Sequence, residues 1–234
     1  MLTGLDSLAL EVADLDRARA FYVGRLGLSP VRESDAELAF RVGETDLILR
    51  RPTTVPRGGL HTHYAFTTPV DEFDDWLDRL SDLDPAVYDF GAYRSLYVDD
   101  PDGHCVEIGS DGAPDAGGEG DDAADGGLTG IFELVLEVAD LERAETAYRG
   151  LGFEVVDRGE ERRRVRLRGP IDLELWEPQL GIADARGGVH VDVGFRTDDP
   201  EAAAEAFAEW TIESERAAGG RRVRDRDGHV VTFS

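Results

Sequence analysis

LTGLDSLALEVADLDRARAFYVGRLGL, residues 2–28, returns in the second half of the chain as LTGIFELVLEVADLERAETAYRGLGF, residues 128–153. The halves stay in step, because VDDPDGHCVEI from Val98 matches VRDRDGHVVTF from Val223. A repeat of this length indicates a duplicated structural unit. Residues 109–127 contain no large apolar side chain and are rich in Gly and Asp, which is typical of a flexible linker. The sequence therefore predicts a first module over 1–108, a linker over 109–127 and a second module over 128–234.

The sequence of each half predicts two units, each with a strand, a helix and then further strands. Residues 8–12, LALEV, alternate between two faces as a strand does. Asp14 stands where a helix needs an N-cap, and apolar side chains recur after it at helical spacing. Residues 61–68, HTHYAFTT, and the helical pattern over 69–82 begin a second unit of the same kind. We predict an α+β fold of four βαβββ units, two in each half.

The composition excludes several classes of function. Asp and Glu number 50 against 25 basic residues, all of them Arg, and the formal net charge is −25. Such a chain repels nucleic acid and anionic membrane surfaces, and it resembles the proteins of extreme halophiles. No apolar run reaches the roughly 20 residues that cross a bilayer, and no signal-peptide pattern precedes the first strand. Since Cys105 is the single cysteine, no intramolecular disulfide forms. We expect a cytoplasmic protein.

Three motifs and their second-half copies carry a resemblance to a known family. They are LALEVADLDRARAFYVGRLGL, HTHYAF and DPDGHCVEI, and together they resemble the vicinal oxygen chelate superfamily. That group includes glyoxalase I, extradiol ring-cleaving dioxygenases, bleomycin-resistance proteins and fosfomycin-resistance enzymes. The resemblance covers nearly the whole chain outside the linker. It implies cup-shaped mixed sheets made of paired βαβββ units, with helices outside and a metal ion inside, but it does not select the reaction.

The resemblance also implies that the first and last strands of each unit supply the metal ligands. The corresponding positions are, unit by unit, Ser7 and Ile48, His63 and Glu107, Glu133 and Glu174, and Asp192 and Thr232. If units pair within a half, the first half offers Ser7, His63 and Glu107, an iron triad with a serine in place of a histidine. If units pair between halves, units two and three assemble four ligands, and units one and four keep an eroded site.

We favour pairing between the halves, because it leaves one complete ligand set: His63, Glu107, Glu133 and Glu174. One imidazole with three carboxylates suits a single divalent ion, Zn²⁺, Ni²⁺, Mn²⁺ or Fe²⁺, and residue type alone does not choose among them. A plain sheet histidine at position 63 stays open as the alternative. His61 and His190 are expected at strand entries, and His104 and His229 are expected in loops after DG turns.

Arginines alternate along RRRVRLR, residues 162–168. If Val165 and Leu167 face a helix, Arg164 and Arg166 point into the cup. There they either bind a carboxylate of an anionic substrate or balance the charge of the glutamates.

The leading functional hypothesis is a metal-dependent lyase or isomerase resembling glyoxalase I. Glu107 is then the candidate base, with Glu133 opposite, and the substrate is the hemithioacetal of a 2-oxoaldehyde and a small thiol. A ring-cleaving dioxygenase and a non-enzymatic binder of the bleomycin-resistance kind are the alternatives. The binder is disfavoured because three carboxylates in one cup repel each other without a cation. The expected partner is a small molecule; one chain can form both cups, which fits a monomer and leaves a homodimer open.

Overall fold

The computed structural model describes residues 1–52, 59–91, 93–110, 127–178, 190–217 and 219–234. Within these ranges, four α-helices pack on two mixed sheets of eight strands each. This is the predicted α+β fold of four βαβββ units. Of the predicted linker, Gly109 and Ser110 lie in the last strand of unit two, and residues 111–126 are outside the described ranges.

Units one and two come from the first half of the repeat. Unit one consists of β1 (Leu2–Glu11), α1 (Leu15–Tyr22), β2 (Pro30–Glu33), β3 (Glu37–Val42) and β4 (Thr45–Arg50). Unit two consists of β5 (His61–Thr68), a 3₁₀ turn (Val70–Glu72), α2 (Phe73–Arg79), a second 3₁₀ turn (Ser81–Leu83), β6 (Ala86–Asp89), β7 (Arg94–Asp99) and β8 (Cys105–Ser110).

Units three and four come from the second half. Unit three consists of β9 (Gly130–Glu137), α3 (Leu141–Gly150), β10 (Glu154–Arg158), β11 (Arg164–Arg168) and β12 (Asp172–Trp176). Unit four consists of β13 (His190–Thr197), α4 (Pro200–Ala206), β14 (Thr211–Ala217), β15 (Gly220–Asp225) and β16 (Val230–Phe233).

Each sheet joins one unit of the first half to one unit of the second. The first sheet has the order β14-β15-β16-β13-β1-β4-β3-β2, and the second has the order β10-β11-β12-β9-β5-β8-β7-β6. The two halves meet through antiparallel pairs, β1 with β13 and β5 with β9. Of the two pairings that the sequence left open, the structure has the one between the halves.

Local sequence signals begin the helices as predicted. The Asp14 carboxylate accepts hydrogen bonds from the backbone N–H groups of residues 16 and 17, and Asp140 and Asp199 cap α3 and α4 in the same way. Pro200 follows its cap at the first helical position, where a missing N–H costs nothing. None of the described helices is both long and apolar enough to span a bilayer.

Strand alternation divides the side chains of β1 between the core and the cup. Leu8 and Leu10 are buried in a core that runs continuously through both sheets. Ala9 points the other way and forms a small separate cluster with Ala39 and Ile48 on the cup side. The predicted strand phase is therefore confirmed, and it determines which side chains line the cup.

The Asp-Gly turns at residues 102–103 and 227–228, called the DG turns, form hydrogen bonds between the two sheets. In the second sheet, Asp102 accepts a hydrogen bond from the backbone N–H of Ala13 at 2.9 Å, just before α1 of the first sheet. In the first sheet, Asp227 accepts the equivalent bond from Ala139 at 2.9 Å, just before α3. Because the two contacts are related by the repeat, each unit supports its neighbour from the same half.

Four histidines are buried together where the sheets meet. His104 and His229 lie after the DG turns as predicted, but they are buried, and each ring stacks on a strand histidine, His61 or His190. Each donates from Nε2 to a backbone carbonyl, at 2.6 Å for His104 and 2.9 Å for His229. Their Nδ1 atoms therefore accept from Nε2 of His61 and His190. Burial, first, and the neighbouring rings lower the pKa of His61 and His190, so these two rings are neutral at pH 7.

Replacement of Asp227 by alanine should lower the free energy of unfolding by about 0.5–1.5 kcal/mol, because the exposed N–H of Ala139 exchanges its carboxylate acceptor for water. Urea denaturation at constant KCl measures the change. Asp198→Ala, at an exposed position two residues before α4, is the matched control, expected to stay within about 0.5 kcal/mol of the parent protein. Equal effects of both substitutions would contradict a clamping role for the turn.

Candidate metal centre

Three neighbouring strands of the second sheet bring the candidate ligands together. Ala65 on β5 is in register with Glu107 on β8 and with Glu133 on β9. His63 is two residues before Ala65 and therefore projects from the same face. The methyl group of Ala65 leaves the space between the two carboxylates open, so the ligands converge above it.

The three side chains form one compact group. Nε2 of His63 lies 3.1 Å from Oε1 of Glu133 and 3.1 Å from Oε2 of Glu107. One ligand atom from each of the three residues lies within 4.8 Å of the other two. Two further predicted metal ligands, Glu107 of the first half and Glu133 of the second half, thus contact His63.

One oxygen of this group lacks a hydrogen-bonding partner. Nε2 of His63 carries at most one proton, and its aligned contact is with Glu133. Oε2 of Glu107 is buried, and no aligned donor among the described residues reaches it. Without a metal ion, its charge is balanced by the His63 ring at 3.1 Å, and a bound cation would supply the same compensation. The donor set of His63, Glu107 and Glu133 therefore fits a divalent metal ion.

The remaining contacts of Glu107 come from β7. Ser95 donates to its Oε1 at 2.5 Å, and Tyr97 also donates to this carboxylate. Burial alone raises the pKa of Glu107, but His63, Ser95 and Tyr97 outweigh it, and the pKa is lowered. Glu107 is thus held as an anion in a fixed orientation. Neither Ser95 nor Tyr97 was predicted, although alternation along RSLYVDD places both on the cup face.

The protonation of His63 is set by the same carboxylates. Burial by itself lowers the pKa of the imidazole, but Glu107 and Glu133 more than compensate and raise it to about 10. In the protein without a metal, His63 is therefore a cation at neutral pH. Its positive charge compensates the two glutamates, as the charge of a bound metal ion would.

The fourth predicted ligand, Glu174, lies one strand further away on β12. Its carboxylate accepts from Arg164 at 3.2 Å and from the Trp176 indole at 2.6 Å, and it is not a member of the compact group. Burial, first, and the neighbouring charge of Glu133 raise its pKa, unlike that of Glu107. Three of the four predicted ligands are thus together, and Glu174 is beside them.

Arg164 and Arg166 point into the cup as the strand alternation predicts. Arg166 is paired with Glu133 on one side and with Asp172 on the other. Arg164 is paired with Asp157 as well as with Glu174. Both guanidinium groups thus already balance glutamates, which was one of the two predicted roles.

A cavity of about 820 Å³ opens directly above the group. The candidate ligands and the two arginines form part of its wall, and aromatic residues of β6, β7 and β12 form much of the rest. Tyr97 touches the His63 ring edge to face, with ring centroids 5.5 Å apart. Cys105 also lines the cavity, and burial raises the pKa of its thiol to about 12, which keeps it protonated.

The first sheet has a different arrangement at the equivalent positions. Asp192 corresponds to His63 in the repeat, and its Oδ2 accepts from Arg222 at 2.8 Å and from Thr232 at 2.8 Å. Ser7 is in register with Gly194 beside them. Arg222, which the sequence analysis did not single out, thus supplies a fixed cation to Asp192.

The cup-shaped pairing of βαβββ units and the buried histidine–carboxylate group together define a class of small-molecule-binding proteins whose sheets can enclose a metal ion. Comparison with known proteins agrees. A family profile described as the Glyoxalase/Bleomycin resistance protein/Dioxygenase superfamily matches residues 4–108. The chain belongs to this superfamily.

Individual relatives resemble parts or all of the chain. Metallothiol transferase FosB of Staphylococcus saprophyticus is 30% identical over 116 residues, which span 46% of this chain and 77% of the relative. The protein of the same name from Lysinibacillus sphaericus is 33% identical over 113 residues, spanning 44% and 79%. The crystal structure of glyoxalase I from Zea mays covers 98% of this chain and 91% of its own, with a TM-score of 0.68 and 18% identity, a likeness of fold alone.

Binding of a divalent metal at pH 7 should release about one proton per ion. The reason is that His63, with its pKa raised to about 10, is protonated beforehand and must become neutral to act as a ligand. The apparent affinity should rise by about tenfold per pH unit from pH 7 towards pH 10. Calorimetric titration with Zn²⁺ or Ni²⁺ in two buffers of different ionisation enthalpy measures the release.

The matched control is His63→Gln, which lacks the imidazole ligand and should show neither metal binding nor proton release. A release near zero from the unsubstituted protein would contradict the charged state of His63.

Proposed function

We propose that this protein is a metal-dependent enzyme that acts on a small substrate carrying two neighbouring oxygens, in a single site built from both halves of the chain. The observation that carries the proposal is the convergence of three buried or half-buried ligand atoms, from His63, Glu107 and Glu133, within 4.8 Å of one another. Such a set of donors is stable when it holds a cation. We further propose a cytoplasmic location, where low-molecular-mass thiols stay reduced.

The favoured reaction is a proton shift resembling that of glyoxalase I. A metal ion held by His63, Glu107 and Glu133 would polarise the substrate oxygens as a Lewis acid. The chain's own part is proton transfer between adjacent carbons, for which Glu107 and Glu133 are the proposed carriers on opposite sides of His63. Ser95 and Tyr97 orient Glu107, and Arg166 orients Glu133.

Transfer of a thiol to an electrophilic carbon is the second candidate. It is favoured by the relatives at 30% and 33% identity, whose name is metallothiol transferase. Both reactions use a thiol and the same ligands, and they differ in the electrophile. We therefore propose a thiol-dependent activity first, and the identity of the second substrate is decided by assay.

Glu174 remains our proposed fourth ligand. It lies in the same wall of the cavity, and the raised pKa of its carboxyl group would return to its usual range beside a metal ion. To reach the ion it has to leave Arg164 and Trp176. We likewise retain Arg164 and Arg166 as contacts for an anionic group of the substrate.

Metal content measured by elemental analysis, on protein purified in concentrated KCl without chelators, should be about one ion per chain. Concentrated salt is used because a net charge of −25 requires screening. His63→Ala should abolish binding, since it removes the only imidazole of the set. Asp192→Ala is the matched control in the other cup and should keep the ion.

Loss of the ion from Asp192→Ala with retention in His63→Ala would move the site to the first sheet and refute the assignment. If Glu174→Gln loses the metal ion, Glu174 is a ligand. If the metal content of this variant is unchanged, the role of Glu174 is to pair with Arg164. A protein that takes up no divalent metal at all would be a binding protein, and the proposal would fail.

The metal-loaded protein should convert methylglyoxal and a thiol such as glutathione or cysteine to a thioester, or add the thiol to an epoxide. Glu107→Gln should lower kcat by about 10²- to 10⁴-fold, because a positioned proton carrier is lost. In the same assay Arg166→Ala should raise KM for an anionic substrate. Asp192→Asn is the control and should retain full activity.

Catechol-dependent oxygen uptake with Fe²⁺, in place of thiol turnover, would establish the ring-cleaving alternative and refute the proposed reaction.

A further inference from the structure

An aromatic cluster lines one wall of the cavity. It consists of Tyr88, Phe90, Tyr93 and Tyr97, on the β6–β7 hairpin at the edge of the second sheet. Tyr88 stacks on Phe90 with ring centroids 6.2 Å apart, Phe90 stacks on Tyr93 at 4.8 Å, and Tyr97 meets Tyr88 edge to face at 5.6 Å. The cluster is therefore a continuous apolar surface.

This surface is not part of the hydrophobic core. The side chain of Tyr88 is 55% exposed and that of Phe90 is 51% exposed, and every residue of β6 is exposed. The hairpin holds its shape through a backbone bond from Phe90 N–H to the carbonyl of Tyr93 at 2.9 Å. Exposed aromatic rings that face a cavity are typical of ligand-binding surfaces.

The internal repeat provides a comparison within the same chain. The DG turns align Tyr97 with Arg222, and the hairpin register aligns Tyr88 with Ala217 in the first sheet. The β14–β15 hairpin, residues 211–225, contains no aromatic residue in its sequence. The fold therefore does not require rings at these positions, and their presence in one cup alone points to a ligand of that cup.

The cluster is in contact with the candidate metal centre at both ends. Tyr97 packs against His63, and Tyr93 accepts a hydrogen bond from Arg166, which in turn pairs with Glu133. A planar group lying on the cluster would thus be within reach of the three candidate ligands. A three-carbon oxoaldehyde fills only a small part of a cavity of about 820 Å³, so the site has room for a larger group.

The cavity lining also contains an arginine that has no carboxylate partner among the described residues. Arg162 lines the cavity and lies over the Trp176 ring, with 5.2 Å between the guanidinium carbon and the ring centroid. Among the described residues, no Asp or Glu is within ion-pairing distance of Arg162, whereas Arg163, Arg164 and Arg166 are all paired. Arg162 is an exposed residue at the rim of the cavity, and its guanidinium is free to pair with an acidic group that enters there.

We propose that the cavity takes an aromatic acid: its ring stacks on Tyr88, Phe90 and Tyr93, and its acidic group pairs with Arg162. The inference rests on the proposed function in one respect, that the oxygen pair of the substrate faces His63, Glu107 and Glu133. It adds the chemical class of the substrate, an aryl compound with a negative charge, and it makes the β6–β7 hairpin the specificity element.

Calorimetric titration with three unreactive probes tests the proposal on the whole 234-residue chain loaded with metal. The probes are 2-naphthoate, with ring and charge, 2-naphthol, with the ring alone, and cyclohexanecarboxylate, with the charge alone. We expect 2-naphthoate to bind most tightly, at one site per chain. The double variant Tyr88→Ala/Phe90→Ala should weaken both naphthyl probes by about tenfold and leave cyclohexanecarboxylate unchanged.

The arginine is tested separately. Arg162→Ala should weaken the binding of 2-naphthoate by about threefold or more and leave the binding of 2-naphthol unchanged. The difference in 2-naphthoate affinity between the parent protein and the variant should shrink as the KCl concentration is raised. Val87→Ala, at a 48% exposed position on the other face of β6, is the control for the rings. Arg143→Ala on α3 is the control for the charge. Unchanged thermal unfolding midpoints verify that the variants are folded.

Equal binding of 2-naphthoate to the parent protein and to the double variant, or no saturable binding, would overturn the aromatic subsite. Equal loss of both naphthyl probes in Arg162→Ala would overturn the anion contact. Because the probes do not react, a protein that binds them but turns over no substrate refutes the proposed function alone. Turnover of a methylglyoxal adduct without probe binding refutes the aromatic subsite alone.

Discussion

The antiparallel pairing of β5 with β9 is the constraint on which the candidate site depends. These strands belong to different halves of the chain, and their register places Glu133 beside Ala65, opposite Glu107 and on the same face as His63. A shift of one residue would turn Glu133 away from the cup. Backbone hydrogen bonding between the halves therefore assembles a group that neither half contains by itself.

Charge compensation explains why the two cups differ although they come from one duplication. Buried carboxylates are destabilising unless a cation is close. In the second sheet, protonated His63 and Arg166 neutralise Glu107 and Glu133, and His63 can give up its proton to a metal ion. In the first sheet, Arg222 neutralises Asp192, and a guanidinium group keeps its charge at every accessible pH. Asp192 in the first cup is thus paired with a cation that does not titrate, whereas His63 in the second cup can be replaced as the cation by a metal ion.

The edges of the sheets were harder to predict than their centres. β1 and β5 are central strands with strong alternation, so their phase could be inferred from sequence. β2 and β6 are short edge strands with almost no buried side chain, and apolar periodicity carries no signal there. For the same reason the aromatic residues of the β6–β7 hairpin were not singled out, since an exposed ring has no periodic partner in the chain. The burial of His104 and His229 was also missed, because it depends on contacts with the other sheet.

By itself the sequence determined the duplication, the four βαβββ units, the strand phases and the candidate ligands His63, Glu107 and Glu133. The duplication, the units and the strand phases follow from local periodicity, capping and comparison of one half with the other, whereas the candidate ligands follow from the resemblance to the superfamily. Only the tertiary structure decided that the units pair between the halves, that Glu174 lies with Arg164 and Trp176, and that Arg222 takes the cation's place in the first cup. The pairing between the halves joins residues 70 positions apart, such as His63 and Glu133, and residue spacing does not encode which of two similar strands pairs with which. The other two outcomes depend on which side chains meet within one cup.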